Sequence, residues 1–330
     1  MTVNAFSSQE AALVHQYLAS TVANMQGRKL EEGDWSSVYC YAKKIPITGW
    51  SNLNIDICYN GLGVEHKMMC VRKKGSIKEY CGTSLMHPSA TRSIRVGSLD
   101  RNPNDAAIDI LTQYAELIKQ RTEKVATTCK KGSRPDMRTG WLLWELDLDE
   151  FLYFEETMVV PNPNDYFAEW NEREARGARK PTKNLWIYEK STKKKKYSVT
   201  TEAGAKIQPY FDVPDPTDSN LYLFKVQGEE INQGKTRIWI THTTALCLQA
   251  VLGTLSGEII DNEVNGINEK KVSPATHSTN DTMIIAQPII ISTESYKKLK
   301  SIFHGVSDEN MMQNFAQYLF SLHDGKKEKA

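Results

Sequence analysis

The stretch from Asn104 to Cys129, NDAAIDILTQYAELIKQRTEKVATTC, opens on Asn and Asp and repeats apolar residues at i, i+3 and i+4, which predicts a long amphipathic helix. Its apolar stripe needs a second layer to cover it, and short apolar segments with β character lie on both sides. Before it runs NIDICYNGLGVEHKMM (Asn54 to Met69), read as a hairpin turning at Gly61-Leu62. After it comes WLLWELDLDEFLYFE, a buried strand followed by an element of similar character. An earlier amphipathic helix, Ser7 to Met25, starts from Ser-Ser-x-Glu. Helix, hairpin, helix and strand, with more strands and helices beyond, predict an α/β fold: a mixed β-sheet core flanked by helices, carrying an added C-terminal α+β region.

Between these elements WSSVYCYA reads as an aromatic strand, and Lys73 to Arg101 as a long loop with at most one short strand. The texture changes after Val160, where PNPN interrupts the chain. Arg173 to Lys196 then holds ten Lys/Arg against two Glu, with Trp186 and Tyr188 interleaved, and reads as two strands joined by a lysine-rich turn. The linker FDVPDPTDSN leads to LYLFKVQ, RIWITHTTALCLQAVLG, a polar Gly/Asn stretch, the strand MIIAQPIIIS and two closing helices. The expected division is a core over residues 1–160 and a second region over 161–330.

Lys+Arg (41) and Asp+Glu (40) nearly cancel over 330 residues, so a basic footprint has to be local. The six cysteines form no CxxC or Cys/His pair at zinc-finger spacing and read as reduced thiols. No apolar run approaches the roughly 18 residues of a membrane span, and the N-terminus lacks the order of a signal peptide, so a cytoplasmic protein without membrane contact is expected.

Three charges interrupt the opening hairpin: Asp56, Glu65 and Lys67. With a two-residue turn at Gly61-Leu62, Asp56 faces Lys67, Cys58 faces Glu65, and all three charges share one face. A three-residue turn would send Asp56 to the other face unless a bulge re-aimed it. Two carboxylates on a rigid edge suit Mg²⁺, which keeps several waters and completes its shell with substrate phosphate. A lysine on the same face supplies a compact cation for the attacking water. Together these are the parts needed for metal-assisted phosphodiester hydrolysis.

Asp56, nine positions before Glu65, followed by His66 and Lys67, resembles the D…(D/E)xK signature of the PD-(D/E)xK nucleases, with Ile55 where the motif's Pro would stand. The resemblance covers about residues 8 to 150 and implies a restriction-endonuclease-like core. It implies Mg²⁺-dependent cleavage of double-stranded DNA, with Asp56 and Glu65 as metal ligands, the His66 carbonyl as a further ligand, and Lys67 as the catalytic lysine. Two other stretches with an acid upstream of [DE]xK, Asp261…Glu269-Lys270-Lys271 and Asp308…Asp324-Gly325-Lys326, lack an apolar β context. GEEINQGKT imitates a phosphate-binding loop but has five residues between Gly228 and Gly234 where four are needed, and reads as a hairpin loop.

Lys193, Lys194, Lys195 and Lys196 are candidates for neutralising DNA phosphates, as are Arg92 and Arg95 beyond the ExK strand, near His87. Glu10 on the first helix is a candidate for an extra metal-site carboxylate. The expected function is that of a type II restriction endonuclease of a restriction-modification system, acting as a homodimer because a duplex has two strands to cut. The alternatives are a repair or phage-defence nuclease of the same fold, and a non-catalytic DNA-binding protein.

Overall fold

The computed structural model describes residues 1–25, 27–47, 55–72, 75–88, 91–174, 182–201, 205–267, 285–303 and 307–327. The chain opens with strand β1 (Thr2–Val3) and helices α1 (Ser8–Asn24) and α2 (Glu32–Lys43). Strands β2 (Ile57–Tyr59), β3 (Leu62–Val71), β4 (Ser84–Met86) and β5 (Thr91–Ile94) precede helix α3 (Pro103–Ala126). Next come β6 (Asp136–Glu145), β7 (Glu150–Thr157), β8 (Tyr166–Arg173), β9 (Thr182–Glu189), β10 (Lys195–Thr200), β11 (Ala205–Asp212) and β12 (Tyr222–Lys225). The last part holds β13 (Glu229–Asn232), β14 (Lys235–Ile240), α4 (His242–Leu252), α5 (Gly257–Asn265), β15 (Gln287–Ser292), α6 (Thr293–Ile302) and α7 (Asp308–Lys327).

The expected α/β class holds, as a mixed sheet with helices on its faces. In the first sheet the order is β1-β7-β6-β3-β2, and β12 also pairs with β7. Its one parallel pair, β3 with β6, runs from Leu62↔Asp136 to Val71↔Glu145, and α3 supplies the crossover that a parallel pair requires. On one face α1 and α2 bury Leu18, Trp35, Val38 and Tyr39 against Val64, Leu142, Phe151 and Tyr153. The strand Tyr222–Lys225 reaches this sheet from beyond residue 160, alongside Glu150 to Tyr153.

The second sheet has the order β4-β11-β10-β9-β8, with β5 also on β11. The stripe of α3 that includes Ala107, Ile110 and Leu111 packs on Leu185, Ile187, Val199 and Ile207 of this sheet. Helix α3 is thus shared between the two sheets. A third sheet, β13-β14-β15, builds its core with α4 to α7 around Ile238, Leu248, Ile260, Ile291 and Phe315.

Three expectations are corrected. WSSVYCYA lies in helix α2, whose buried Trp35, Val38, Tyr39 and Ala42 keep helical spacing even though the residue types favour strands. The basic loop after the hairpin contains two short strands, β4 and β5, where at most one was expected. The hairpin turns at Asn60-Gly61, because Tyr59 pairs with Leu62 and Ile57 with Val64. Asn60 and Gly61 both have positive φ (49° and 84°), as a type I′ turn demands. GEEINQGKT, by contrast, is the β13–β14 hairpin as read.

Gly61 is also held from outside: its N–H donates to Thr128 Oγ1 at 2.9 Å, and its carbonyl accepts from Asp136 N–H at 2.8 Å. A Cβ there would stand 2.9 Å from Cys129 Sγ, in a backbone conformation that L residues avoid. Gly61→Ala is therefore expected to cost about 1–2 kcal/mol, read as a fall in Tm. An unchanged Tm would contradict this turn.

Candidate active site

Strand β2 is only three residues long, and among the described residues its ladder with β3 ends at Val64. At Asp56 the chain bends away, and the Asp56 Oδ2 accepts the His66 N–H at 2.6 Å, substituting a carboxylate for a ladder carbonyl. The neighbouring residues alternate along β3. Val64 and His66 face the α1–α2 core, while Glu65 and Lys67 face α3.

The turn at Asn60-Gly61 shifts the pairing by two residues from the expected register, which preserves the face, so Asp56 and Glu65 still share one side. Lys67 Nζ donates to Glu65 Oε1 at 2.6 Å, and Arg121 of α3 lies 2.9 Å from Glu65 Oε2. Both cations are largely covered, with 21% and 16% of their side-chain surface exposed. Burial raises the Glu65 carboxyl, but Lys67 and Arg121 outweigh it and hold the pKa below the ordinary value. Burial likewise opposes the charge on Lys67, yet Glu65 keeps its pKa above that of a free lysine.

Asp56 behaves in the opposite way. Burial, followed by the Glu65 and Glu32 charges, pushes it up to about 7, against the opposing His66 N–H and Lys67. Glu32, the first residue of α2, is within hydrogen-bond reach of Asp56, and burial raises its pKa too. The Asp56 carboxyl can therefore keep a proton and offer it to Glu32.

Glu10 does not take this part. It closes the Ser7 capping box and pairs with Lys43 at 3.4 Å. Glu32 went unnoticed because α2 read as a strand, whereas Arg121 did carry a signal, as a cation in the same stripe as Tyr114, Ile118 and Val125. Tyr114 is also close enough to feel the Lys67 charge.

The His66 ring is enclosed by Trp35, Tyr39 and Tyr153, neither ring nitrogen has a hydrogen-bond partner, and burial lowers its pKa to about 3. The imidazole therefore points away from the carboxylates, and only the main chain of His66 is left for a ligand role. Among the described residues, no three His, Cys, Asp or Glu side chains are grouped as a metal cage. A Mg²⁺ ion held here would share Glu65 with Lys67 and Arg121, which already meet the two Glu65 oxygens. That ion asks for only one or two carboxylates, and Asp56, crowded by Glu32 and Glu65, is a buried acid whose ionised form lacks a side-chain cation of its own at hydrogen-bond distance.

The basic candidates lie elsewhere, on the second sheet. Lys195 and Lys196 belong to β10, and Lys193 and Lys194 to the turn before it. Lys194 reaches Asp212 at 3.4 Å. The backbone of Arg92 is in β5, while its side chain is outside the described residues; Arg95 is exposed, and its main-chain N–H and C=O are bonded by Gln113. His87 is buried and bonds the Met68 carbonyl at 2.9 Å. Of the decoy motifs, Asp261 accepts from Ser292, and Asp308 from Gly228 N–H and Tyr296; Glu269, Lys270 and Lys271 lie outside the described residues.

No protein-family model, no curated protein and no solved structure matches the chain. No single helix among the described residues is long and apolar enough to cross a membrane.

Proposed function

We propose that the protein is a Mg²⁺-dependent endonuclease of the PD-(D/E)xK kind that hydrolyses phosphodiester bonds in double-stranded DNA at specific sites, as type II restriction enzymes do. The observation that carries the reading is the convergence of Asp56, Glu65 and Lys67 on one face at the bent edge of a mixed sheet. Asp56 and Glu65, with the His66 carbonyl, would hold the metal, and Glu32 adds a carboxylate at the rim. When bound, Mg²⁺ supplies an acidified water and neutralises charge on the phosphoryl oxygens.

The chain's own residues do the rest. The Lys67 ammonium, kept charged by Glu65, orients the attacking water and offsets charge developing on the phosphate. Arg121 fixes the Glu65 carboxylate from the opposite side, so its rotamer is set by α3. The proposal places the chemistry within residues 1–160, with sequence reading and homodimer contacts supplied by 161–330.

Digesting unmodified and methylated plasmids in Mg²⁺ tests the specificity. Discrete fragments indicate sequence reading, whereas a smear points to a repair or phage-defence nuclease of the same fold. Glu32→Gln is expected to slow cleavage about tenfold and to raise the Mg²⁺ concentration needed for half-maximal rate, because a carboxylate near the ion is neutralised. A metal dependence identical to wild type would remove Glu32 from the site.

A further inference from the structure

The second sheet has two unlike faces. One is buried under α3. The other carries Phe167, Trp186, Tyr188 and Tyr210, all of them partly exposed. Register places them together: Phe167 pairs with Tyr188, Trp186 with Ser198, and Ser198 with Gln208, two positions before Tyr210. Phe167 and Tyr188 are stacked with nearly parallel planes, 13° apart and with centroids at 5.1 Å.

Lysines cover these rings. Lys195 Nζ sits 3.0 Å from the centroid of Trp186 and 5.7 Å from those of Tyr188 and Tyr210, and Lys193 Nζ lies 5.1 Å from that of Phe167. From Thr182 to Asp212 the chain holds seven lysines against Glu189, Glu202 and Asp212. The surface is therefore aromatic and lined by lysines, with Glu169 of β8 opposite Trp186 as an acid beside the rings.

We propose that this face binds unpaired nucleotides, with bases stacked on Trp186, Tyr188 and Phe167 and phosphates held by Lys193 and Lys195. In a duplex the base faces are hidden in the stack, so rings standing on a sheet can engage only bases that are extruded or single-stranded. Phosphates draw the lysine ammoniums off the rings they cover, which opens the indole to a base. The face points away from α3, and α3 presents Arg121 to the carboxylates. It is thus a separate surface from the candidate cleavage site.

The test uses the full chain in EDTA, so that cleavage plays no part, and follows the anisotropy of a labelled oligo-dT 12-mer, an abasic 12-mer with the same phosphates, and a hairpin duplex. The 12-mer of dT is expected to bind at least tenfold more tightly than the abasic strand. Trp186→Ala should weaken dT binding roughly 5- to 100-fold, Trp186→Phe should keep most of it, and duplex affinity should stay within about twofold in both variants. Equal affinity for dT and abasic strands, unaltered dT binding by Trp186→Ala, or equal loss on duplex and single strand would each overturn the proposal. Because Lys67→Ala should bind dT like wild type, failure here leaves the cleavage reading intact, and failure of cleavage leaves this one intact.

Discussion

Lys67→Ala should slow duplex cleavage in Mg²⁺ by roughly 10²- to 10³-fold under single-turnover conditions, while the affinity for duplex DNA measured in Ca²⁺ or EDTA changes little. Lys67 is mostly covered and spends its charge on Glu65 at 2.6 Å, so it offers little to DNA at large. Its removal deletes the cation that the proposed chemistry needs beside the phosphate and leaves Arg121 alone to hold Glu65. Loss of binding in parallel with loss of rate would mean that Lys67 is a phosphate contact or a structural strut. A normal rate would remove it from the chemistry.

Asp56→Asn is expected to act in opposite directions on activity and stability. Cleavage is expected to fall by at least as much as in Lys67→Ala, because a proposed carboxylate ligand is lost. Stability without metal rises at pH 8. The sign follows from linkage. The folded pKa of Asp56, about 7, lies above its unfolded value of 3.8. The favourable contribution of its proton is complete below the unfolded value and is lost as pH climbs through about 7. The amide keeps an oxygen for the His66 N–H and carries no charge beside Glu65 and Glu32.

The gain at pH 8 is on the order of 2–4 kcal/mol at most, since three pKa units correspond to about 4 kcal/mol and the titration of Asp56 is tied to that of its neighbouring carboxyls. Thermal unfolding in EDTA from pH 5 to pH 9 should therefore show wild type losing Tm relative to Asp56→Asn above pH 5, with the difference levelling off past pH 8. Mg²⁺ at pH 8 should recover much of that loss in wild type alone. Parallel pH profiles in the two proteins would mean that Asp56 is not the strained acid of this site.

The shared face of Asp56, Glu65 and Lys67 was easier to read from the sequence than the frame around it. Asp56, Glu65 and Lys67 were legible because charges in an apolar hairpin stand out, and because any even shift of register keeps them on one face. The turn itself was misplaced by one residue: Asn60-Gly61 is the stronger I′ signal, and the second Gly, at 63, is a strand residue close against Val125 and Met137 of its neighbours. Helix α2 was hidden because Trp35, Val38, Tyr39 and Cys40 favour strands by type and helix by spacing, and burial against the sheet decided for spacing. With α2 misread, Glu32 had no visible route to the site. Arg121 was legible in principle, as the one cation in an apolar stripe, but its partner Glu65 is set by tertiary packing across the β3–α3 crossover.

Helix α5 was hidden within a polar stretch. Its Ser256 cap and its buried pair Ile260 and Val264 mark it, but three apolar residues in nine, two of them adjacent, give a weak period. The lysine-rich turn was found where expected, while the stacking of its ammoniums on Trp186 and Phe167 depends on which face each strand presents, and that follows from the bulge between Lys195 and Tyr197.

The central claim is that Asp56, Glu65 and Lys67 form one metal-dependent hydrolytic centre. Its most direct test is digestion of a known supercoiled plasmid by the purified protein with Mg²⁺ and with EDTA. Cut plasmid with Mg²⁺ and intact plasmid with EDTA are expected. Plasmid left intact in both, or cut equally in both, would contradict that claim.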